Sequence, residues 1–152
     1  MIRPFFTKRI VACTTFIHKN IHITSGEPKT VLKSKFIAHC AKINSREEYG
    51  QMISELKNDK KIATATHNIS AYRIQIGDEL IEQKDDDGEN GASDQLLQML
   101  QRFNLTNICV VVTRWYGGIN LGANRFRAIR DVAYKVLQPL IKQPENSQKS
   151  KK

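Results

Sequence analysis

The sequence is short of the residues that staple, span or attack. Its three cysteines (Cys13, Cys40 and Cys109) are odd in number and form no CxxC pair. A disulfide framework or zinc knuckle is therefore not expected, and a reducing compartment fits. Cys109 lies in an apolar run, where a buried, inert thiol is the simplest reading. No apolar run approaches the roughly 18–20 residues of a spanning helix, so no membrane partner is expected. No serine or cysteine sits in a recognisable nucleophile setting, so no triad can be assembled and no catalytic residue is assigned.

Acid is also missing where the chain begins. Met1 to Ser25 holds Arg3, Lys8, Arg9 and Lys19 but no Asp or Glu, and the tail from Lys142 sets four lysines against Glu145. Between them, Gly26 to Ile141 carries 16 basic and 14 acidic residues, so most of the net charge of +9 sits at the termini. Basicity is thus weak evidence for a nucleic-acid-binding core. The acid-free start, rich in Thr, Phe and Ile, has the composition of a mitochondrial transit peptide. Pro4 and the β-branched residues weaken its amphipathic helix, so a targeting segment and an extended arm both stay open. The location expected is cytoplasmic, with mitochondrial as the alternative. Residues 1–28 are read as this arm or targeting segment, 29–141 as the domain and 142–152 as a disordered basic tail.

What is present suits one packed domain: 152 residues, 40% hydrophobic and 26% charged. "VLKSKFIAHCAKI" alternates like a strand, with Phe36, Ala38 and Cys40 on one face and Ile37, His39 and Ala41 on the other. "SREEYGQMISELKND" reads as a helix with the Ser45/Glu48 spacing of a capping box and Tyr49, Met52, Ile53 and Leu56 inward. "NISAYRIQI" and "ELIEQ" form a hairpin about Gly77-Asp78. After the acidic loop "KDDDGENGAS" comes an amphipathic helix with Leu96, Leu97, Leu100 and Phe103 inward. The unbroken Ile108–Val112 run predicts a central strand buried on both faces. A last helix presents Phe126, Ile129, Ala133, Val136, Leu137 and Leu140, and Pro139 and Pro144 close it. This order predicts an α+β fold, a two-layer mixed sheet with its helices on one face.

Three places could carry chemistry. Asp85-Asp86-Asp87-Gly88-Glu89 offers hard oxygen ligands for magnesium or calcium. Aligning Gly88 on the glycine of a calcium loop, however, puts Gln83 at the first ligand position and Asp94 at the last. The plainer reading is negative charge complementing the next helix's dipole, and no metal or cofactor is assigned. The turn Gly117-Gly118-Ile119-Asn120-Leu121-Gly122 lies between strand and helix, where backbone N–H groups hold phosphates. It is neither GxGxxG nor a Walker loop. Arg114, Arg125, Arg127 and Arg130 supply positive charge nearby, and Trp115 and Tyr116 supply aromatic surface. The alternative is a tight corner whose arginines pair with the acidic loop. His67 is a candidate base or polar contact, with a structural histidine as the alternative. His18 and His22 are four apart in a stretch that alternates like a strand, which argues against a helical metal pair.

Taken together, "HNISAYRI", "DDDGENGAS", "VVVTRWYGGINLG" and "RFRAIRDVA" resemble the IMPACT family, which includes the bacterial YigZ-type proteins. Order and spacing match over about Lys33 to Leu137. The resemblance implies a domain like the second domain of small-subunit ribosomal protein five. It also implies a motif cluster of His67, Tyr72, Arg73, Asp86, Gly88, Glu89, Arg114, Gly117, Gly118 and Gly122, to which the residue reading adds Tyr116, Arg127 and Arg130. Longer eukaryotic members place an RWD domain first. They restrain the starvation-activated kinase of initiation factor 2 by competing for its coactivator, and they associate with actin. Too little sequence precedes Lys33 here for an RWD domain, so a short form is expected. The expectation is a non-enzymatic regulatory or binding domain of translational control, contacting RNA, the ribosome or a translation-regulatory protein. The alternative is a small metal-dependent, phosphate-handling enzyme built on the acidic loop, His67 and Arg114. Oligomeric state does not follow from the sequence.

Overall fold

The structure, a computed structural model, describes residues 20–141. The acid-free start up to Lys19, including Pro4 and His18, and the tail from Lys142 lie outside the described residues. The elements are β1 (Thr24–Ser25), β2 (Lys29–Val31), β3 (Ser34–Lys42), α1 (Arg46–Lys57), α2 (Lys60–Ala63), β4 (His67–Ile76), β5 (Glu79–Asp85), α3 (Ala92–Arg102), β6 (Ile108–Trp115) and α4 (Asn124–Ile141). Among the described residues, no helix is long and apolar enough to cross a membrane.

Local chemistry explains most of these elements. Ser45 caps α1, its hydroxyl accepting from the Glu48 N–H at 3.1 Å, while the Glu48 carboxylate takes the Asn44 N–H at 2.6 Å. The β4–β5 hairpin turns at Gly77-Asp78, with Ile76 opposite Glu79. Two boundaries differ from the sequence reading. The alternation before Phe36 predicts one continuous strand, but the chain reverses through Leu32 (φ 43) and Lys33 (φ 66), pairing Val31 with Ser34. No turn-forming residue marks that reversal, because neither Leu nor Lys favours left-handed backbone. Likewise α4 passes through Pro139 to Ile141. Proline costs it one backbone bond near its end, which the packing of Leu140 and Ile141 against the core offsets.

The sheet runs β1-β3-β6-β4-β5, with β2 also on β3, and every pairing is antiparallel. The α+β class therefore holds, but the mixed sheet does not. β3 and β4 are parallel to each other yet separated by β6, so they share no ladder. The one-face placement of helices also needs correction. Leu96 and Leu100 of α3 and Ile129, Ala133 and Leu137 of α4 pack on Phe36, Ala38, Ile69, Ala71, Val110 and Val112. Met52 and Leu56 of α1 instead pack on Ala41, Tyr72, Ile74, Cys109 and Val111, on the opposite face. β6 is thus buried from both sides, as its apolar run predicts. Both its Cys109 and β3's Cys40 are enclosed; burial pushes the Cys40 thiol up to about 11 and Cys109 higher still.

Candidate functional site at the Glu89 cluster

β4 starts where β6 ends, and in their ladder His67 stands opposite Arg114. Phe36 of β3 is opposite Arg114 on the other side. Onto this end of the sheet the loop after β5 lowers Glu89, and the first turn of α4 brings Arg125. Glu89 is 6% exposed and Arg114 5%. The Glu89 carboxylate pairs through Oε2 with Arg114 Nη1 and sits 2.7 Å from Arg125 Nε through Oε1. That second contact is an ion pair rather than a directed hydrogen bond, and Arg114 Nε is buried without an acceptor. His67 faces Glu89 Oε2 through Nε2 at 3.5 Å. Its Nδ1 is 2.8 Å from the Asp87 carbonyl, which can only accept, so Nδ1 carries a proton. The Arg114 guanidinium lies 5.4 Å from the Phe36 ring and 5.7 Å from the Tyr116 ring.

The backbone around the cluster is fixed by specific contacts. Gly88 (φ 84) faces the His67 ring. Gly117 is required by a close approach: a Cβ there would lie 2.1 Å from the Lys33 carbonyl. The 116–122 loop is thereby locked against the β2–β3 turn. Three of its N–H groups have side-chain acceptors. Tyr116 N–H donates to Thr66 Oγ1 at 2.9 Å, Gly117 N–H to Ser34 Oγ at 3.2 Å and Gly122 N–H to Asn120 Oδ1 at 2.9 Å. Gly118 is exposed, and the Gly122 carbonyl accepts from Arg125 Nη1 at 2.7 Å.

The acidic loop spends its carboxylates separately. Asp85 accepts from the Asp87 N–H at 2.9 Å and Asp87 from the Asn68 N–H at 2.7 Å. Asp86 accepts from the N–H groups of Gly91 at 3.0 Å and Ser93 at 2.8 Å, and from the Ser93 hydroxyl. Burial opposes its ionisation, but these bonds outweigh that and leave its pKa below the usual carboxylate value. Asp86 thereby caps α3, which is how the charge meets the helix dipole. Among the described residues no three His, Cys, Asp or Glu side chains converge as metal ligands.

Of the residues singled out from sequence, His67, Gly88, Glu89 and Arg114 come together, with Tyr116, Gly117, Gly118 and Gly122 in the adjoining loop. Tyr72 does not join them. It is buried on the α1 face, its ring tilted against that of Tyr49 at 4.8 Å between centres, with its hydroxyl on Gln83. Arg73 lies six residues along β4 from His67, about 20 Å at strand spacing. There it donates to the Leu100 and Leu105 carbonyls, each at 3.2 Å, and pairs with Glu82, closing the C-terminus of α3. Arg127 and Arg130 are exposed on α4, the latter bonded to Gln95 at 2.7 Å.

A second polar group went unanticipated. His39, 3% exposed, sits between Ser25 Oγ (2.7 Å from Nδ1) and Thr113 Oγ1 (3.2 Å from Nε2). Thr113 donates to Asn68 Oδ1 at 2.8 Å, and Asn68 donates to the Ile62 carbonyl at 2.9 Å. Because the Thr113 proton goes to Asn68, its oxygen accepts from His39, whose Nε2 carries the proton of a neutral ring. The signal was present: polar residues inside apolar strand runs must find partners when buried.

A profile of the Impact N-terminal domain matches residues 32–137. Protein IMPACT homolog of Caenorhabditis elegans is 43% identical over 122 residues, 78% of this chain and 48% of that protein. Protein IMPACT of Rattus norvegicus is 41% identical over 132 residues, 84% of this chain and 42% of its own length. The chain thus spans under half the length of these relatives. Among solved structures, the two-domain translational regulator Yih1 superposes with a TM-score of 0.55 at 34% identity, covering 77% of this chain and 46% of Yih1. A hypothetical protein superposes with a TM-score of 0.62 at 22% identity, covering 75% and 57%, and so shares the fold. The matched span contains every residue of the Glu89 cluster and the loop beside it, and on these similarities the chain belongs to the IMPACT family.

Proposed function

We propose that this domain is a binding module of translational control and not an enzyme. Its contact surface is the 116–122 turn, with Tyr116 at its start and Arg127 and Arg130 flanking it on α4, and its partner is RNA phosphate or a protein. The observation that carries this reading is the saturation of Glu89. Both of its oxygens face cations, and it is almost fully enclosed, so the carboxylate is not offered to a substrate. The cluster acts instead as a brace beneath Tyr116, which is 51% exposed over the Arg114 guanidinium. The naming of Yih1 as a translational regulator supports the same direction.

The test is a cellular one. Full-length chain is expressed during amino-acid starvation, and phosphorylated initiation factor 2 is measured. Wild type is expected to lower the phosphorylated fraction, and a Tyr116→Ala/Arg127→Glu/Arg130→Glu variant to lose that effect while folding normally. Equal phosphorylation with wild type, variant and empty control would remove the translational role.

A further inference from the structure

The corner where the β2–β3 turn meets the 116–122 loop has a composition that the fold does not need. Leu32 is 57% exposed, Tyr116 51% and Ile119 39%, half of the large hydrophobic side chains exposed among the described residues. They are neighbours by construction. Gly117 touches the Lys33 backbone, and Leu32 and Ile119 lie one and two residues from that contact, within about 15 Å of each other by chain length alone. Exposed apolar side chains gathered at one corner of a surface are a feature of interaction sites.

Leu32 is also expensive where it stands. It occupies the first position of a two-residue hairpin turn at φ 43, where Asn or Gly is the favoured residue. Its side chain is mostly in solvent, so neither backbone preference nor core packing accounts for it. An apolar tip held on a turn that Gly117 locks in place is pre-organised for a contact made outside this chain.

Charge decides which kind of contact. The segments 29–36 and 114–123 contain no carboxylate. Of their cations, Lys29 is paired with Asp131 and Arg114 with Glu89, whereas Lys33 and Lys35 are exposed and have no ion pair among the described residues. The Lys35 ammonium rests 5.2 Å from the Trp115 ring centre. The rim is therefore basic around an apolar centre. Of the loop N–H groups that a phosphate could use, those of Tyr116, Gly117 and Gly122 are already taken by Thr66, Ser34 and Asn120, which leaves only part of the turn's backbone for an anion.

We propose that this corner docks an acidic protein segment carrying apolar anchors, with Leu32, Tyr116 and Ile119 receiving the anchors and Lys33 and Lys35 meeting the carboxylates. This rests on the binding reading above and narrows its partner from RNA or protein to protein. Aromatic and aliphatic anchors supply most of such a contact's stability, and the lysines mainly steer association and are screened by salt.

The full chain is used to select binders from a displayed random-peptide library, and short oligo(U) RNA is titrated in parallel. The expected result is enrichment of net-acidic peptides with two or more apolar residues. These peptides should perturb the amide resonances of the β2–β3 turn and the 116–122 loop. Leu32→Asn, which suits the turn and should not lower the melting temperature, is expected to weaken binding about tenfold. Ile119→Ser should behave alike, and Lys33→Glu/Lys35→Glu should reverse the acidic preference. Selection of no peptide, selection of basic peptides, or equal affinity for Leu32→Asn and Ile119→Ser would overturn the proposal. Oligo(U) binding at this corner in place of peptide would also overturn it and restore the RNA reading. The starvation assay reads a different quantity: its failure with intact peptide docking would remove the translational role and leave this surface standing.

Discussion

Adjacent residues on two strands feed two buried polar networks of opposite character, one on each face of the sheet. His67 and Arg114, paired across β4 and β6, point to the α3–α4 face and join Glu89 and Arg125 in an ionic cluster. Asn68 and Thr113, the next pair in the same ladder, point to the other face. There they join His39 and Ser25 in a neutral chain of hydrogen bonds. The first sets one carboxylate against two guanidinium groups, so its positive charge is offset only while Glu89 is in place. The second holds no charge, provided His39 stays unprotonated. A strand's two-residue period thus lets one stretch of ladder carry two kinds of buried polarity without mixing them. The ionic one braces the exposed loop, and the neutral one fastens the edge strand β1 and the end of α2.

The largest break in that contrast should come from the ionic side. Glu89→Gln leaves the enclosed Arg114 guanidinium and the partly exposed Arg125 without a counter-charge and is expected to cost about 3–5 kcal/mol in urea unfolding. A loss below about 1 kcal/mol would mean that water already screens the cluster.

The neutral network should respond to pH instead. Burial pulls the His39 pKa from 6.5 down to about 4, with the Asp59 charge opposing. Between those values the unfolded chain binds the proton and the folded one does not, so stability falls as pH drops from 6.5 towards 4. The loss attributable to His39 is on the order of 3 kcal/mol at most. His39→Gln keeps a donor towards Thr113 but does not titrate, and its stability should decline less over the same range. Parallel curves for the two proteins would show that His39 titrates normally in the fold. The smallest effect is expected from Thr113→Val, which orphans one donor on His39 and one acceptor on Asn68. It should cost about 1–3 kcal/mol in thermal or urea melts, without altering the Glu89 side.

Much of the architecture could be read in advance, for local reasons. The double burial of Ile108–Val112, the inward face of α3 and the Ser45 cap follow from period, length and side-chain chemistry within a few residues. The placement of α1 does not. The two crossover connections, β3-α1-β4 and β5-α3-β6, each skip one strand, and a common hand would put both helices on one face. Their opposite faces mean opposite hands, which departs from the near-universal right-handed rule. The candidate site divides the same way. His67, Gly88, Glu89 and Arg114 were identified together through the family resemblance. Tyr72 and Arg73 came with them, although neighbours on a strand face opposite ways. For Arg125 the sequence leaves anion contact and pairing with the acidic loop both open, and the first turn of α4 decides for the pairing by setting it beside Glu89.

By itself, then, the sequence determined the longer strands and helices, which of their faces are apolar, where unbalanced charge accumulates and which family the chain resembles. These depend on contacts within a turn of helix or along one strand. The tertiary structure alone decided that Glu89 is saturated by two arginines and that Asp86 caps α3. It also decided that His39 is a neutral link between strands, and that the 116–122 loop meets the β2–β3 turn at Gly117 and Lys33. Each of these joins residues tens of positions apart, and their meeting is set by strand order and register, which hydrophobic periodicity does not encode.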